Sequence, residues 1–211
     1  GRASSRATER NGDMGKFMEI LKTRLYLTIT ILHAHRRIME DLIKLGRLPL
    51  YTYNWMHLSK QYSTVGLIGP YEACKFMGMD ITSQEGSGFV TRIMDFINEV
   101  SLDEEALWKD GRRFNLELIP GEQAAIKMCE ADKMIYASFP NPYKLYSNQF
   151  IPLIDKSDIS ERIRLQGHFD SRAQGGCIMH LNIDHQLTHK EQMKNLIRAS
   201  VKAGAMYYAV N

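Results

Sequence analysis

Beyond Arg113 the chain changes its hydrophobic period again and again. Short runs rich in β-branched and aromatic residues ("FNLELI", "LYSNQFIPL", "GCIMHLNI" and "AMYYAVN") are separated by segments with apolar residues three and four apart, over 121–134, near 158–166 and over 189–203. Strands that alternate with helices can pair in parallel across those helices, so the pattern predicts an α/β unit. The join is tightest in "FNLELIPGEQAAIKMCEADKMIY", where a strand-like half meets an amphipathic half across only Pro120, Gly121 and Glu122. In a parallel α/β unit such a turn lies at the carboxyl end of a strand, where a helix N-terminus offers unpaired N–H groups and the positive end of its dipole.

The first half of the chain reads differently. Over 13–45 the residues Met14, Phe17, Met18, Leu21, Leu25, Leu32, Ile38, Met39 and Leu42 recur at three and four, with Gly46 placed to end one long helix with a single apolar face. "LPLYTYN" then reads as a short strand and "STVGLIGPYEACKFMG" as a glycine-bearing turn leading into a short helix. Two capping boxes, Thr82 with Glu85 and Ser101 with Glu104, predict a pair of consecutive helices between residues 83 and 110.

At 211 residues, 44% hydrophobic and 24% charged, the chain can bury a sizeable core. It shows no internal repeat, low-complexity tract or clear linker, so residues 1–211 are read as one compact α/β domain. A net charge of +3, the difference between 27 basic and 24 acidic residues, argues for neither nucleic acid nor an anionic membrane as partner, and is compatible with a small anionic substrate. The longest apolar run, "LYLTITILHA", is broken by threonines among charged neighbours, so no membrane span or signal sequence is predicted. The three cysteines, Cys74, Cys129 and Cys177, form no CxxC pair and leave an odd thiol, which points to a reducing, cytoplasmic setting. The chain opens on "GRASSRATERNGD" and stops after a strand-like segment, so it is expected to be a piece of a larger polypeptide.

Several residues invite chemistry, each with a plainer alternative. Gly121 lets a ligand approach the backbone and Ala124 and Ala125 keep the first helical turn uncrowded; the alternative is a compact turn in which Glu122 stabilises the helix dipole. The turn lacks GxGxxG and GxxxxGK. In "LYSNQF" a two-residue period would put Tyr146, Asn148 and Phe150 on one strand face, where Asn148 could grip a sugar or base, or equally bond a neighbouring backbone. His185 and His189 have the spacing of a helical metal pair, but a capping box of Thr188 with Glu191 would leave His185 outside the helix, and no third ligand stands nearby. The cysteines read as small core residues, and no Ser-His-Asp set can be assigned.

Taken in order, the strings after "RASSRATERNGD", then "STVGLIGPYEACKFMG", "FNLELIPGEQAAIKM", "KLYSNQFIPL", "QGGCIMHLNI" and "LIRASVKAGAMYYAVN" resemble the class III, oxygen-sensitive ribonucleotide reductases, which are glycyl-radical enzymes. The resemblance covers nearly the whole chain. It implies a ten-stranded α/β barrel of two halves, with this chain supplying most of the second half, about five parallel strands. It implies thiyl and glycyl radical chemistry converting ribonucleoside triphosphates to deoxyribonucleoside triphosphates, formate as reductant, and ATP or dATP as allosteric effectors. A radical-SAM activating enzyme, the remaining reductase polypeptide and a homodimer of the parent enzyme are the implied partners. The reacting cysteine, the radical glycine, the zinc-binding cysteines and the regulatory module are expected outside these residues, so no catalytic or metal-binding residue is assigned here. Substrate binding falls to Pro120, Gly121, Glu122, Gln123, Ala124 and Asn148, with the N–H groups of the turn meeting the substrate's phosphates. Two alternatives stand beside this reading: a split half that completes a nucleotide-binding barrel without chemistry, and a formate-lyase relative with the same barrel.

Overall fold

The computed structural model describes residues 13–108, 111–138, 141–183 and 187–210, with the backbone but not the side chain of Glu122. Among them run α1 (Met14–Lys44), α2 (Pro49–Thr52), a 3-10 turn (Leu58–Lys60), β1 (Tyr62–Leu67), α3 (Pro70–Phe76) and α4 (Gln84–Trp108). They are followed by β2 (Arg113–Leu118), α5 (Glu122–Ile135), α6 (Ile159–Asp170), β3 (Ile178–Leu181), α7 (Lys190–Ala203) and β4 (Tyr207–Val210). The residues gather into two compact units, one of Asp13–Val65 with Asp95–Asn115 and one of Gly66–Met94 with the chain from Leu116 onward.

In the first unit, α1 is the long helix that the periodicity predicts. Asp13 caps it by accepting a hydrogen bond from Lys16 N–H at 3.0 Å, and Gly46, at φ 66°, lets Arg47 N–H return to Leu42 O at 2.9 Å and close the last turn. Leu25 and Ile29 are buried at the centre of its apolar stripe, whereas Ile38 is 58% exposed and lies off that stripe. Further along, α1 turns polar groups inward. Arg112 can only donate, so its 2.5 Å contact makes His33 Nδ1 the acceptor and leaves His33 Nε2–H to donate to Glu104 Oε2 at 3.1 Å. Glu104 also accepts from Trp108 Nε1–H at 3.2 Å, and the Arg112 guanidinium lies 4.0 Å from the Trp108 ring centroid.

Two expectations fail in this region for local reasons. "LPLYTYN" is not a strand: Pro49 stands at the first helical position with its φ already set, and Tyr51 and Thr52 N–H both reach Leu48 O at 3.0 Å, giving α2. The two helices expected over 83–110 are one, because Ser101 is no cap. Its hydroxyl donates back to Ile97 O at 2.7 Å within the buried face of α4. The cap at the helix start is Ser83, one residue past the expected Thr82, accepting from Gly86 N–H at 3.0 Å.

In the second unit, β3 and β4 pair in parallel with Ile178 opposite Tyr207 and Leu181 opposite Val210. Met179 and Leu181 turn to one side and pack with Ile163 of α6 and Ala205, against Ile159, Leu196 and Tyr208. Burying a side chain the size of Leu181 stabilises the fold by about 1.5–3 kcal/mol. Phe150 and Phe169 stack with centroids 4.4 Å apart beside this layer. Asp170, fully buried, accepts from Gln166 Nε2–H and Met206 N–H, each at 2.6 Å, which joins the end of α6 to the start of β4; burial raises its carboxyl above the ordinary range despite those bonds.

The sheets are smaller than a half-barrel. β1 pairs with β2, β3 pairs with β4, and one parallel bridge from Glu117 to Gly176 links β2 to the approach to β3. A second expected strand, "LYSNQFIPL", is irregular, whereas "STVGL", expected to be a turn, forms most of β1. Ser147 Oγ accepts from Gln149 N–H and donates to Gln149 O, both at 3.0 Å, a local closure that competes with extended pairing. Tyr146, Asn148 and Phe150 therefore do not share a strand face.

Two glycines in α4 should respond in opposite directions. A Cβ on Gly86 would stand 2.0 Å from Asp80 O, while one on the exposed Gly88 would meet nothing within 4 Å. Gly88→Ala is expected to raise the unfolding free energy by about 0.4–1 kcal/mol and Gly86→Ala to lower it by about 1–3 kcal/mol, read by urea denaturation.

Candidate functional site

Three backbone segments of the second unit meet past the ends of β1 and β2: residues 68–70, 120–125 and 146–149. Gly69 is the pivot. Its φ of 81° is open to glycine at little cost, and its N–H donates to Ser147 O at 2.7 Å, so close that a Cβ there would lie 3.3 Å from Tyr146 Cβ. Pro70 then starts α3 at its first position, and two residues on Glu72 buries its carboxylate, 3% exposed, against the same loop. Glu72 Oε2 accepts from Ser147 N–H at 3.0 Å.

The loop 146–149 is held on its other sides as well. Tyr146 OH donates to Asp132 Oδ2 at 2.7 Å and accepts from Asn141 Nδ2–H at 3.0 Å, while Tyr146 N–H points to Ala125 O at 3.4 Å. Gln149 Oε1 accepts from His180 N–H on β3 at 3.4 Å. Among the described residues Asn148 makes no side-chain hydrogen bond, although its neighbours Tyr146, Ser147 and Gln149 all do. Its amide is half-buried and available to a ligand.

The turn from β2 into α5 forms the facing edge. Gly121 is buried and helical, φ −73°, so no left-handed conformation demands glycine; a Cβ there would stand 2.5 Å from Ile68 Cδ1, the movable end of that side chain, which would have to shift. Ala124 and Ala125 N–H both donate to Gly121 O, at 2.7 and 3.2 Å. Among the described residues the N–H groups of Gly121 and Gln123 meet no acceptor, and Gly121 supplies no side-chain cap. Pro120, Gln123 and Ala124 are exposed. The structure thus seats Tyr146, two residues before Asn148, against Ala125 of the turn. Sequence reasoning missed Gly69 and Glu72; the "GPYE" string carried the signal of a turn and a first-turn acid, but not of their burial.

A second anchor lies further along the same wall. Tyr71 OH donates to Asp155 Oδ2 at 2.6 Å, and Ser157 donates to Oδ1 through N–H at 2.8 Å and Oγ–H at 2.5 Å. Burial pushes the Asp155 carboxyl up, but the bonds from Ser157 and Tyr71 outweigh it and hold it below the ordinary range. Arg162 gathers the segment by donating to Ile151 O, Pro152 O and Asp155 O at 2.9, 2.9 and 2.6 Å. A cleft of about 580 Å³ opens here between Leu153, Lys156, Ser160 and Asn182, just past β3.

All three cysteines are buried. Burial pushes the Cys74 and Cys177 thiols up to about 12, so neither is a thiolate near neutrality. His185 lies outside the described residues. His189 is the N-cap of α7, boxed with Gln192 one residue later than the Thr188 and Glu191 pairing expected. Among the described residues no group of three His, Cys, Asp or Glu side chains stands where it could hold a metal ion, and no helix is long and apolar enough to cross a membrane.

The family described as anaerobic ribonucleoside-triphosphate reductase matches this chain over residues 5–211. Among solved structures, the anaerobic ribonucleotide reductase from Thermotoga maritima with citrate in the active site is similar at a TM-score of 0.87 and 34% identity, over 97% of this chain and 38% of that one. The same organism's enzyme in complex with dATP and CTP is similar at a TM-score of 0.87 and 34% identity, over 97% of this chain and 34% of that one. A further anaerobic ribonucleotide reductase gives a TM-score of 0.88 at 33% identity, over 96% of this chain and 32% of the other. The chain therefore spans about a third of the length of these solved relatives. No match was found among curated proteins.

Removing the Tyr71 hydroxyl should expose the worth of the second anchor. Tyr71→Phe is expected to cost about 1.5–3 kcal/mol at neutral pH, the range for a hydrogen bond to a charged group. Because the folded pKa of Asp155 is depressed, its contribution is present above the unfolded value and is lost as pH falls through the folded one. The gap between wild type and Tyr71→Phe should therefore be full above about pH 5 and close in stronger acid, as followed by denaturant titrations at several pH values.

Proposed function

The chain belongs to the anaerobic ribonucleoside-triphosphate reductase family, and from that premise we propose that it is the part of such an enzyme that binds and orients the ribonucleotide at one wall of a catalytic α/β barrel. The observation that carries this reading is that, among the described residues, the N–H groups of Gly121 and Gln123 and the side-chain amide of Asn148, all in one unit, meet no partner. The first suits the phosphates of a nucleoside triphosphate at the positive end of α5, the second its sugar or base. A related structure holds citrate, a multivalent anion, in its active site, and another holds dATP and CTP, in keeping with a site built for anions and nucleotides.

Within the site the substrate-binding set is Pro120, Gly121, Glu122, Gln123, Ala124 and Asn148. Pro120 and Gly121 turn the chain tightly, the first N–H groups of α5 meet phosphate, and the small Ala124 leaves room for it. The reaction is the reduction of ribonucleoside to deoxyribonucleoside triphosphates in the cytoplasm, by an enzyme acting as a homodimer with a radical-SAM activating partner. Radical chemistry with formate as reductant, and effector control by ATP or dATP, belong to the whole enzyme. The described cysteines are buried, and no bond-breaking step is assigned to this segment, whose part is to hold and orient substrate. Nor do they fit the zinc of the family, for want of a ligand set among the described residues.

Ala124→Asp separates phosphate binding from folding. An acid in the first turn favours the helix dipole, so the variant should be as stable as wild type or slightly more so. The same charge opposes phosphate, and in the reductase carrying this segment the affinity for a ribonucleoside triphosphate should fall from a few-fold to about thirtyfold, the equivalent of ~0.3–2 kcal/mol. Titration calorimetry reads the binding and thermal melting the stability. A folded variant with unchanged affinity would remove this turn from the substrate site.

A further inference from the structure

Glu72 is a carboxylate outside the proposed substrate-binding set, and its burial asks for a reason. Taking a carboxylate out of water is costly unless its partners are specific, and an apolar side chain would fill the same space without that cost. Its contacts are specific. Gly69 N–H donates to Ser147 O at 2.7 Å and Ser147 N–H donates to Glu72 Oε2 at 3.0 Å, so the carboxylate stands in for the strand that would otherwise accept this N–H. Glu72 Oε2 also lies 3.6 Å from where a Cβ on Gly69 would be, which puts the pivot, the acid and the loop within one contact shell. With both backbone groups of Ser147 engaged and its hydroxyl closed on Gln149, the peptide that carries Asn148 is held at each end.

We propose that Glu72 is a positioning residue for nucleotide binding: by accepting the Ser147 N–H it fixes the loop so that the free Asn148 amide faces the ligand. This role rests on the assignment of Asn148 to the substrate site. Glu72 acts through Ser147 and needs only an acceptor at Oε2, so an amide can replace the acid whereas a thioether or methyl group cannot. Loss of the acceptor leaves a buried N–H unmet and frees the loop.

The test is a mutant cycle in the reductase carrying this segment, with a ribonucleoside triphosphate as the probe. Glu72→Met and Glu72→Ala remove the acceptor, Glu72→Gln keeps one, and Asn148→Ala removes the amide; circular dichroism selects the folded apolar variant. The apolar variant should weaken binding by roughly five- to a hundredfold, as expected for an unmet buried donor, and Glu72→Gln should restore it to within a few-fold. Combined with Asn148→Ala, the apolar variant should add little further loss, since both changes abolish the same contact. Hydrogen exchange at the Ser147 amide should quicken in the apolar variant and stay slow in Glu72→Gln. Fully additive losses, or wild-type affinity in a folded apolar variant when Asn148→Ala is impaired, would overturn the positioning role alone. If neither apolar variant folds, Glu72→Gln decides by itself: a quickened Ser147 amide with wild-type affinity, or a slow one with a loss as large as that of Asn148→Ala, overturns it. An Asn148→Ala enzyme that binds like wild type would overturn the substrate-site reading and the role of Glu72 with it.

Discussion

The close approach of Gly69 to Ser147 is the constraint around which the second unit is organised. It requires a residue without a side chain at a left-handed backbone position, and that requirement directs the chain beyond it. Pro70 can begin α3 only because the preceding turn has been made, and α3 then aims Tyr71 at Asp155 and Glu72 at Ser147. One short helix thereby ties two irregular segments that have no ladder of their own. A seven-residue helix contributes little by propensity, so its packing and these bonds are what give it a defined place.

The polar groups divide into those already met and those left open. Arg162 engages four carbonyls with its guanidinium, Asp155 holds Tyr71 and Ser157 with its oxygens, and Tyr146 joins Asp132 and Asn141 through its hydroxyl. Among the described residues the half-buried Asn148 amide and the N–H groups of Gly121 and Gln123 at the start of α5 have no such partner. In the first unit His33, Glu104 and Arg112 are joined in one network, with Trp108 donating to Glu104.

The position of these open groups agrees with the general behaviour of α/β folds, in which ligands collect where strands end and helices begin. In the proposed function, family membership supplies the chemical class of the ligand and the geometry supplies the residues. Neither alone would do so: a helix N-terminus accepts many anions, and a family match names no atom.

Much was legible locally. The spacing of apolar residues and the stop at Gly46 placed α1; the periods around 121–134, 158–166 and 189–203 placed α5, α6 and α7; and "FNLELI", "GCIMHLNI" and "AMYYAVN" placed β2, β3 and β4. Such features depend on residues within a turn or two of one another, so a sequence states them directly. The turn at Pro120 and Gly121 was legible for the same reason, as was the family, through the order of its strings. What only the tertiary structure decided involves partners far apart in the chain. "LYSNQFIPL" has the composition of a strand, yet Ser147 closes on Gln149 and takes its backbone partners from Gly69 and Glu72, the latter 75 positions away. Asn148 is open because every neighbour is engaged, and Glu72 matters because it is buried; both depend on which distant groups arrive beside them, and no local pattern encodes that.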